Sequence, residues 1–423
     1  MICGASQVDI TPSQPVHLAG YGERNKPSEG VHDPLMGAVL FLQDTITQTL
    51  LIGLDLIGVD AEFTSQARAE IEKGAGIPAQ NIAIACTHTH SGPMGTANTF
   101  PREEIQPDIA LRTEIIGKLT QAARDAKQKA CPAKLAVGKC PLTGIGLNRN
   151  DPHKIIDTEL TIVSFSEGNR PIAVLVNYGC HPTVMSAKNY LISADFPGAA
   201  RSLLNQQFPD AVFLFTNSGA GDVSTRFARQ GQGFEEVQRF GKMYADAVQL
   251  CMSAAEEVPA LGLKMKTTSI QLPIRAFPNP REAQQMLIQA EADFAALKDS
   301  KANPADIRAA ETKVFGARTQ VRLAEMPFPG SSVAAEMQIF ALGDFIYITL
   351  PGEPFSGVVW AIKAAFPDKK VIVLSYANDY KGYFPIAEGE QTYETLKSPF
   401  PADIGDRISN QAITLLKEFL NEK

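Results

Sequence analysis

The chain has 423 residues, 44% of them hydrophobic, enough to build one large core without cross-links or metal staples. With 39 basic against 46 acidic residues it carries a formal net charge of -7, and no run of lysine and arginine is dense enough to track a phosphate backbone, so nucleic acid is not an expected partner. No apolar run approaches the roughly 20 residues needed to cross a bilayer, and a soluble protein with no transmembrane segment is expected.

The opening residues MICGASQVDITPSQPVHLAG lack the basic start, apolar stretch and small-residue cleavage site of an export signal. Strand-like runs follow at 38–44 and 49–58, then a helix at 64–74, a strand at 81–89 and a long helix at 108–129. A strand at 171–179 leads to a helix at 195–206, where Asp195 and Pro197 read as a cap and an early proline. A strand at 210–217 and a helix at 234–256 come next.

From about 279 to 313 the composition shifts to Ala, Glu, Gln and Lys in two helical stretches separated by Ser300-Lys301-Ala302-Asn303-Pro304. This reads as an inserted helical hairpin that either covers a cleft or is only structural, with no polar cluster of its own. The run 334–350 contains Gly343-Asp344, a hairpin turn, and is followed by a helix at 355–365 and a strand at 370–377. In the last helix, 403–421, Ile408, Ala412, Leu415 and Phe419 share a face that should dock. The alternation gives an α/β or α+β class, and without repeats or a linker residues 1–423 read as one catalytic domain.

The six cysteines (Cys3, Cys86, Cys131, Cys140, Cys180 and Cys251) are scattered singly. Buried thiols in a reducing compartment, hence a cytoplasmic location, are the expectation, although Cys131 and Cys140 can pair. A cysteine nucleophile finds little support. Cys86 and His88 can share a strand face, but Cys180 and His181 should point apart, and neither pair has an activating third group.

Three of the six histidines fall at or just beyond strand-like runs. His88 and His90 lie in Cys86-Thr87-His88-Thr89-His90-Ser91-Gly92-Pro93 and face one side if the strand continues that far. His181 follows the 171–179 run, and Glu353 leaves the apolar run Phe345-Ile346-Tyr347-Ile348-Thr349-Leu350 at Pro351-Gly352-Glu353, where a buried charge needs a counter-ion. Two imidazoles and a carboxylate meet the ligand count of a catalytic zinc site, though partly buried, hydrogen-bonded histidines and an exposed carboxylate fit the spacing equally. The stretch Thr216-Asn217-Ser218-Gly219-Ala220-Gly221-Asp222-Val223-Ser224 reads either as an anion- or substrate-facing loop or as a plain turn. Arg149 can bind an oxyanion or be solvated, and the tyrosines at 380, 383 and 393 can donate to a charged oxygen or seal a core edge. His32 and Asp33 either approach the same cleft or make an independent N-terminal contact.

Taken together, Gly20-Tyr21-Gly22, Thr87-His88-Thr89-His90-Ser91-Gly92-Pro93, Asn148-Arg149, Asn177 through Thr183, Ser193-Ala194-Asp195, Gly221-Asp222-Val223-Ser224, Leu350-Pro351-Gly352-Glu353 and the segment holding Tyr380 and Tyr383 resemble the neutral/alkaline ceramidase family of zinc amidases. The resemblance implies two mixed β-sheets flanked by helices in an α-β-β-α layering. It implies Zn2+ held by His88, His181, Glu353 and, as a weaker or longer contact, Tyr383. His90 takes the general acid/base position, Arg149 and Tyr393 the carbonyl or oxyanion positions, and Ser224 that of a supporting polar group. The implied reaction is attack of a zinc-activated water on an N-acyl amide, with ceramide or another lipid-like amide as substrate. An ester or lactone cleaved at the same site, and a metal-stabilised binding protein, are the alternatives.

Relative to the family, neither an export signal nor the immunoglobulin-like module that usually follows is expected in this chain. Phe384-Pro385-Ile386-Ala387-Glu388-Gly389-Glu390 replaces the family's Thr-Thr-x-Glu-Glu-Tyr, and Thr225-Arg226 replaces Pro-Asn. These changes fall where a leaving group or acyl chain would lie, so a different substrate on shared machinery is expected.

Overall fold

A computed structural model describes residues 1–98, 106–260, 262–300, 302, 304–326, 330–387 and 392–422. Lys301, Asn303 and the Glu388-Gly389-Glu390 stretch singled out above lie outside the described residues.

Three mixed sheets carry the fold. The first runs Ile82–Cys86, Gln48–Leu54, Met36–Gln43, Ile2–Asp9 and Cys131–Pro132, and the second Val212–Asn217, Arg170–Tyr178, Glu159–Glu167, Lys134–Pro141 and Glu256–Val258. The third runs Leu263–Pro273, Ser332–Leu342, Phe345–Thr349 and Lys370–Leu374. Each is antiparallel except for one parallel pair at its end, where a crossover helix joins the strands. The mixed sheets flanked by helices are therefore present, with the C-terminal strands forming a third sheet tied to the edge of the first by the Ala85–Ala377 bridge.

The inner faces of all three sheets meet in one core that includes Leu40, Leu175, Leu214, Phe340 and Tyr347. Outer faces are covered by helices. Ala61–Ala75 and Ile109–Gln128 lie on the first sheet, Asp195–Gln207 and Phe234–Ser253 on the second, and Ser356–Ala364 and Ile404–Asn421 on the third. The first and third sheets, joined at an edge, both face the second, so a section through either of them and the second crosses helix, sheet, sheet and helix. Strands buried on both faces read as continuous apolar runs, which is why Val212–Asn217 and Lys370–Leu374 were legible. Ile2–Asp9 was not, because Ile109–Gln128 packs so closely on it that small residues are required. A Cβ at Gly4 would overlap Ala126, and the Ser6 hydroxyl donates to the Ala122 carbonyl at 2.6 Å.

Two local expectations need correction. Asp195 does not cap its helix: Ala194 is the N-cap, and Asp195 sits at φ 54 with its carboxylate accepting the Val184 and Phe196 amides. Nor are the cysteines all free, since Cys140 and Cys251 form a disulfide between the second sheet and the helix covering it, while Cys131 stays unpaired. Opposing positions on a strand and its covering helix bring the two sulfurs together across 111 residues, a proximity that sequence spacing cannot reveal.

The hairpin comprises Pro280–Asp299 and Pro304–Glu325, the second helix continuing past the 313 read from composition. Among the described residues, no helix is long and apolar enough to cross a membrane.

A buried ion pair fixes the segment leading to the site. Arg201 on the second sheet's helix donates Nη1 and Nη2 to the two oxygens of Asp55 at 2.5 and 2.9 Å. Both side chains are buried, so removing one strands the other. Arg201→Ala is expected to lower stability by about 3–5 kcal/mol in denaturant unfolding; a loss below about 1 kcal/mol would show that Asp55 is not held by this pair.

Candidate active site

The strand Ile82–Cys86 ends two residues before His88, whose φ of 68 turns the chain sharply. Strand alternation therefore does not align His88 with His90, as the period-two expectation required. The turn does so instead, and the His90 Nε2 lies 3.3 Å from the His88 Nε2. A left-handed conformation at a non-glycine residue is costly. Here His88 N–H donates to the Leu56 carbonyl and its Nδ1 to the Ile57 carbonyl at 2.6 Å, which fixes both backbone and ring.

His181 follows Arg170–Tyr178. Gly179 allows the chain to run against Gly219, His181 N–H donates to the Val223 carbonyl, and its Nδ1 lies 2.6 Å from the Ala220 carbonyl. One buried side chain ties the two histidine loops together. The Asn217 Nδ2 donates to Thr87 and Cys180 carbonyls at 3.0 and 3.3 Å, and its Oδ1 accepts the Cys180 amide. The 216–224 segment accordingly serves as a brace. Its Gly221 lies where a Cβ would collide with the backbone of Glu353 and Pro354, so the glycine permits that strand end to approach.

Glu353 is 1% exposed, and its Oε2 lies 3.3 Å from the His88 Nε2 and 3.0 Å from the His181 Nε2. Tyr380 donates its hydroxyl to Oε1, while Tyr376 donates to Oε2 at 3.4 Å and stacks its ring on His88. Burial, then the charge of Glu353, pushes both phenols well above their ordinary pKa, so they remain donors. Tyr383 stands opposite Glu353 in the short parallel pairing of Glu353–Pro354 with Tyr383–Phe384. The phenols that touch the carboxylate are nevertheless Tyr380, one of the tyrosines expected to donate to a charged oxygen, and Tyr376, which the sequence did not disclose.

A divalent cation fits this arrangement on chemical grounds. Carbonyls only accept, so the Nδ1 of each ligand-side histidine carries the proton. Burial, with Arg149 nearby, pulls His181 down to about 4, leaving its Nε2 a lone pair near neutral pH. That lone pair faces a carboxylate oxygen at 3.0 Å. Two acceptors at that distance repel unless a cation or proton lies between them. His88, His90 and His181 also offer nitrogens all within 4.8 Å of one another, so His90 is a second candidate for the third position.

These groups sit at the floor of a cavity of about 1100 Å³. His88, His90, Arg149, Ser224, Glu353, Tyr383 and Tyr393 line it, while His181 is buried beneath. The Arg149 Nε donates to Glu394 at 2.6 Å, its Nη1 lies 3.4 Å from the His181 Nε2, and its Nη2 is buried with no hydrogen-bond partner. Asn150 Nδ2 donates to the other Glu394 oxygen at 3.0 Å. Burial opposes ionisation of Glu394, but the guanidinium outweighs it and holds the carboxyl below its usual range. This counter-ion escaped the sequence because 245 residues separate the pair. Tyr393 opens the short helix Tyr393–Lys397, its ring 6.0 Å from that of Tyr383. Ser224 forms a bridge with His181, and its hydroxyl accepts the Arg226 amide.

Other candidates fall away. His32 stacks on Phe234 at 3.6 Å, and Asp33 accepts the Ser193 hydroxyl and Ala194 amide, an N-terminal contact away from the cavity. Burial drives the Cys86 and Cys180 thiols far above their ordinary pKa, which disfavours a thiolate nucleophile.

Comparison with known proteins places the chain in a family. Residues 1–233 match the family model described as neutral/alkaline non-lysosomal ceramidase, N-terminal. The chain is 22% identical to a neutral ceramidase of Pseudomonas aeruginosa over 94% of its own length and 69% of that protein. It is 23% identical to a neutral ceramidase of Mycobacterium tuberculosis over 60% of its length, spanning 46% of that relative. The crystal structure of the Pseudomonas aeruginosa neutral ceramidase superposes with a TM-score of 0.75 at 20% identity, covering 99% of this chain and 75% of that one, a likeness of fold.

Gly20, at φ 89, lies where a Cβ would overlap the His90 ring. Gly20→Ala is expected to displace His90 and cost about 1–3 kcal/mol through backbone strain, read by thermal unfolding alongside turnover; unchanged stability and activity would show that His90 is not packed against this turn.

Proposed function

Because the chain belongs to the neutral/alkaline non-lysosomal ceramidase family, we propose that it is a zinc-dependent hydrolase of an N-acyl amide of the ceramide-like kind. The observation that carries this reading is the convergence of the His88 and His181 Nε2 atoms on one oxygen of the buried Glu353, at 3.3 and 3.0 Å. His88, His181 and Glu353 would hold the ion, with Tyr383 beside them and the backbone carbonyls of Ile57 and Ala220 fixing the imidazole tautomers. A divalent cation supplies Lewis acidity at such a site, lowering the pKa of a water toward neutrality and polarising a carbonyl.

The chain's own groups divide the remaining work. Arg149, with Nη2 unsatisfied, donates to the substrate carbonyl and to the negative charge that develops on its oxygen. The phenol of Tyr393 serves the same oxygen, and Ser224 supports the floor. Burial, then His88 and His181, pulls His90 well below its ordinary value, so it is a neutral base. It accepts a proton from the attacking water and returns it to the leaving nitrogen as the carbon–nitrogen bond breaks, giving a carboxylic acid and an amine.

Chelation is expected to abolish amide hydrolysis and Zn2+ to restore it, with metal analysis giving about one ion per chain; full activity in metal-free protein would overturn the reading. His90→Ala should keep its metal while kcat falls by about 10²–10⁴. Loss of the ion in that variant would instead make His90 a ligand.

A further inference from the structure

Resting on the amide-hydrolase reading, we propose that the cavity selects amides whose amine half carries an anionic group, seated against the helix Pro304–Glu325. This helix turns Glu311, Phe315, Arg318, Thr319 and Arg322 to the cavity, at spacings of three and four that make one stripe. The inserted hairpin is thus a wall of the site, and its cationic residues stand on the wall.

The whole chain is acidic at -7, yet the cavity is not. Among the described lining residues the cations are Arg149, Arg226, Arg229, Arg318, Arg322 and Lys397, against the carboxylates Glu23, Glu311, Glu353 and Glu394. Glu394 and Arg149 pair off with one another and Glu353 faces the imidazoles, so the rest of the lining sets Arg226, Arg229, Arg318, Arg322 and Lys397 against Glu23 and Glu311. Arg318 spends a donor on Glu291 of the hairpin's other helix. Arg322 does not end so simply, for its Nε is buried without a hydrogen-bond partner. A buried guanidinium donor left unmatched is costly, and an anionic oxygen is the partner that satisfies it best.

Phe315, Met94, Ala19 and Ala97 give the same cavity apolar surface suited to an acyl chain. A hydrocarbon acyl chain brings no charge, so with such a substrate the anion resides on the amine half. Carboxylate, sulfonate and phosphate share the required chemistry, and a cavity charged in this way disfavours a cationic amine. The electrostatic contribution weakens with salt where solvent reaches the pair.

The test uses the metal-loaded full chain and N-acyl amides sharing one acyl group, with amine halves ending in carboxylate, sulfonate, phosphate, a neutral amide or an ammonium. At least one anionic member should exceed the neutral one in kcat/KM by about tenfold, and that ratio should shrink with added salt and in Arg322→Gln. Arg281→Gln, on the outer helix and away from the cavity, should leave the ratio in place. Equal or better turnover of the neutral amide overturns the proposal while leaving the hydrolase reading intact. Should no amide be turned over, the hydrolase reading fails. The same series titrated calorimetrically then decides anion selection, and equal affinity for neutral and anionic members overturns it.

Discussion

The structure depends on one confrontation of like with like: a buried carboxylate and two imidazole lone pairs directed at a common point. Each histidine has committed its Nδ1 proton to a backbone carbonyl, so neither can turn a donor toward Glu353 without taking up a second proton. Burial makes that uptake unfavourable for His181. A cation resolves the conflict, and the hydroxyls of Tyr376 and Tyr380 donate to Glu353 from the other side.

Much of the fold can be understood as the means of holding that confrontation in place. The three acceptors come from the ends of strands in three different sheets, and the sheets are locked by the core they share. Asn217 ties the loop before His88 to the loop before His181, while Asp222 accepts the Asn148 side chain and the Ser356 amide, joining the arginine loop to the segment after Glu353. Backbone strain gathers in the same place. His88, Tyr376 and Asn378 all have positive φ, and Asn378 is secured by its Oδ1 accepting the Ile84 amide. Strain of this kind persists only where the surroundings over-determine it.

Elements with strong periodicity were legible in the sequence. The Gly343-Asp344 turn, the strands at 212–217 and 370–374 and the docking face of the last helix follow from alternation and apolar spacing. What escaped are features whose signal is long-range. Ile2–Asp9 lacks bulky residues because a helix lies on it, and Leu263–Pro273 alternates weakly because much of it is solvent-facing. The candidate site divides in the same way: His88, His90, His181 and Glu353 announced themselves at strand ends, whereas Glu394, Asn217 and Tyr376 have meaning only beside partners far away in the chain. The helical hairpin of Pro280–Asp299 and Pro304–Glu325 carried no polar cluster readable as chemistry, because its arginines gain significance only from the cavity they face.

The central claim, that His88, His181 and Glu353 share one cation, is tested most directly by a crystal structure of zinc-supplied protein with anomalous data collected across the zinc absorption edge. The account predicts one anomalous peak bonded to the Nε2 of both histidines and to a Glu353 oxygen at about 2.0–2.2 Å. A correctly folded, zinc-supplied crystal with no peak there, the three side chains in direct contact and any bound metal elsewhere, would contradict it.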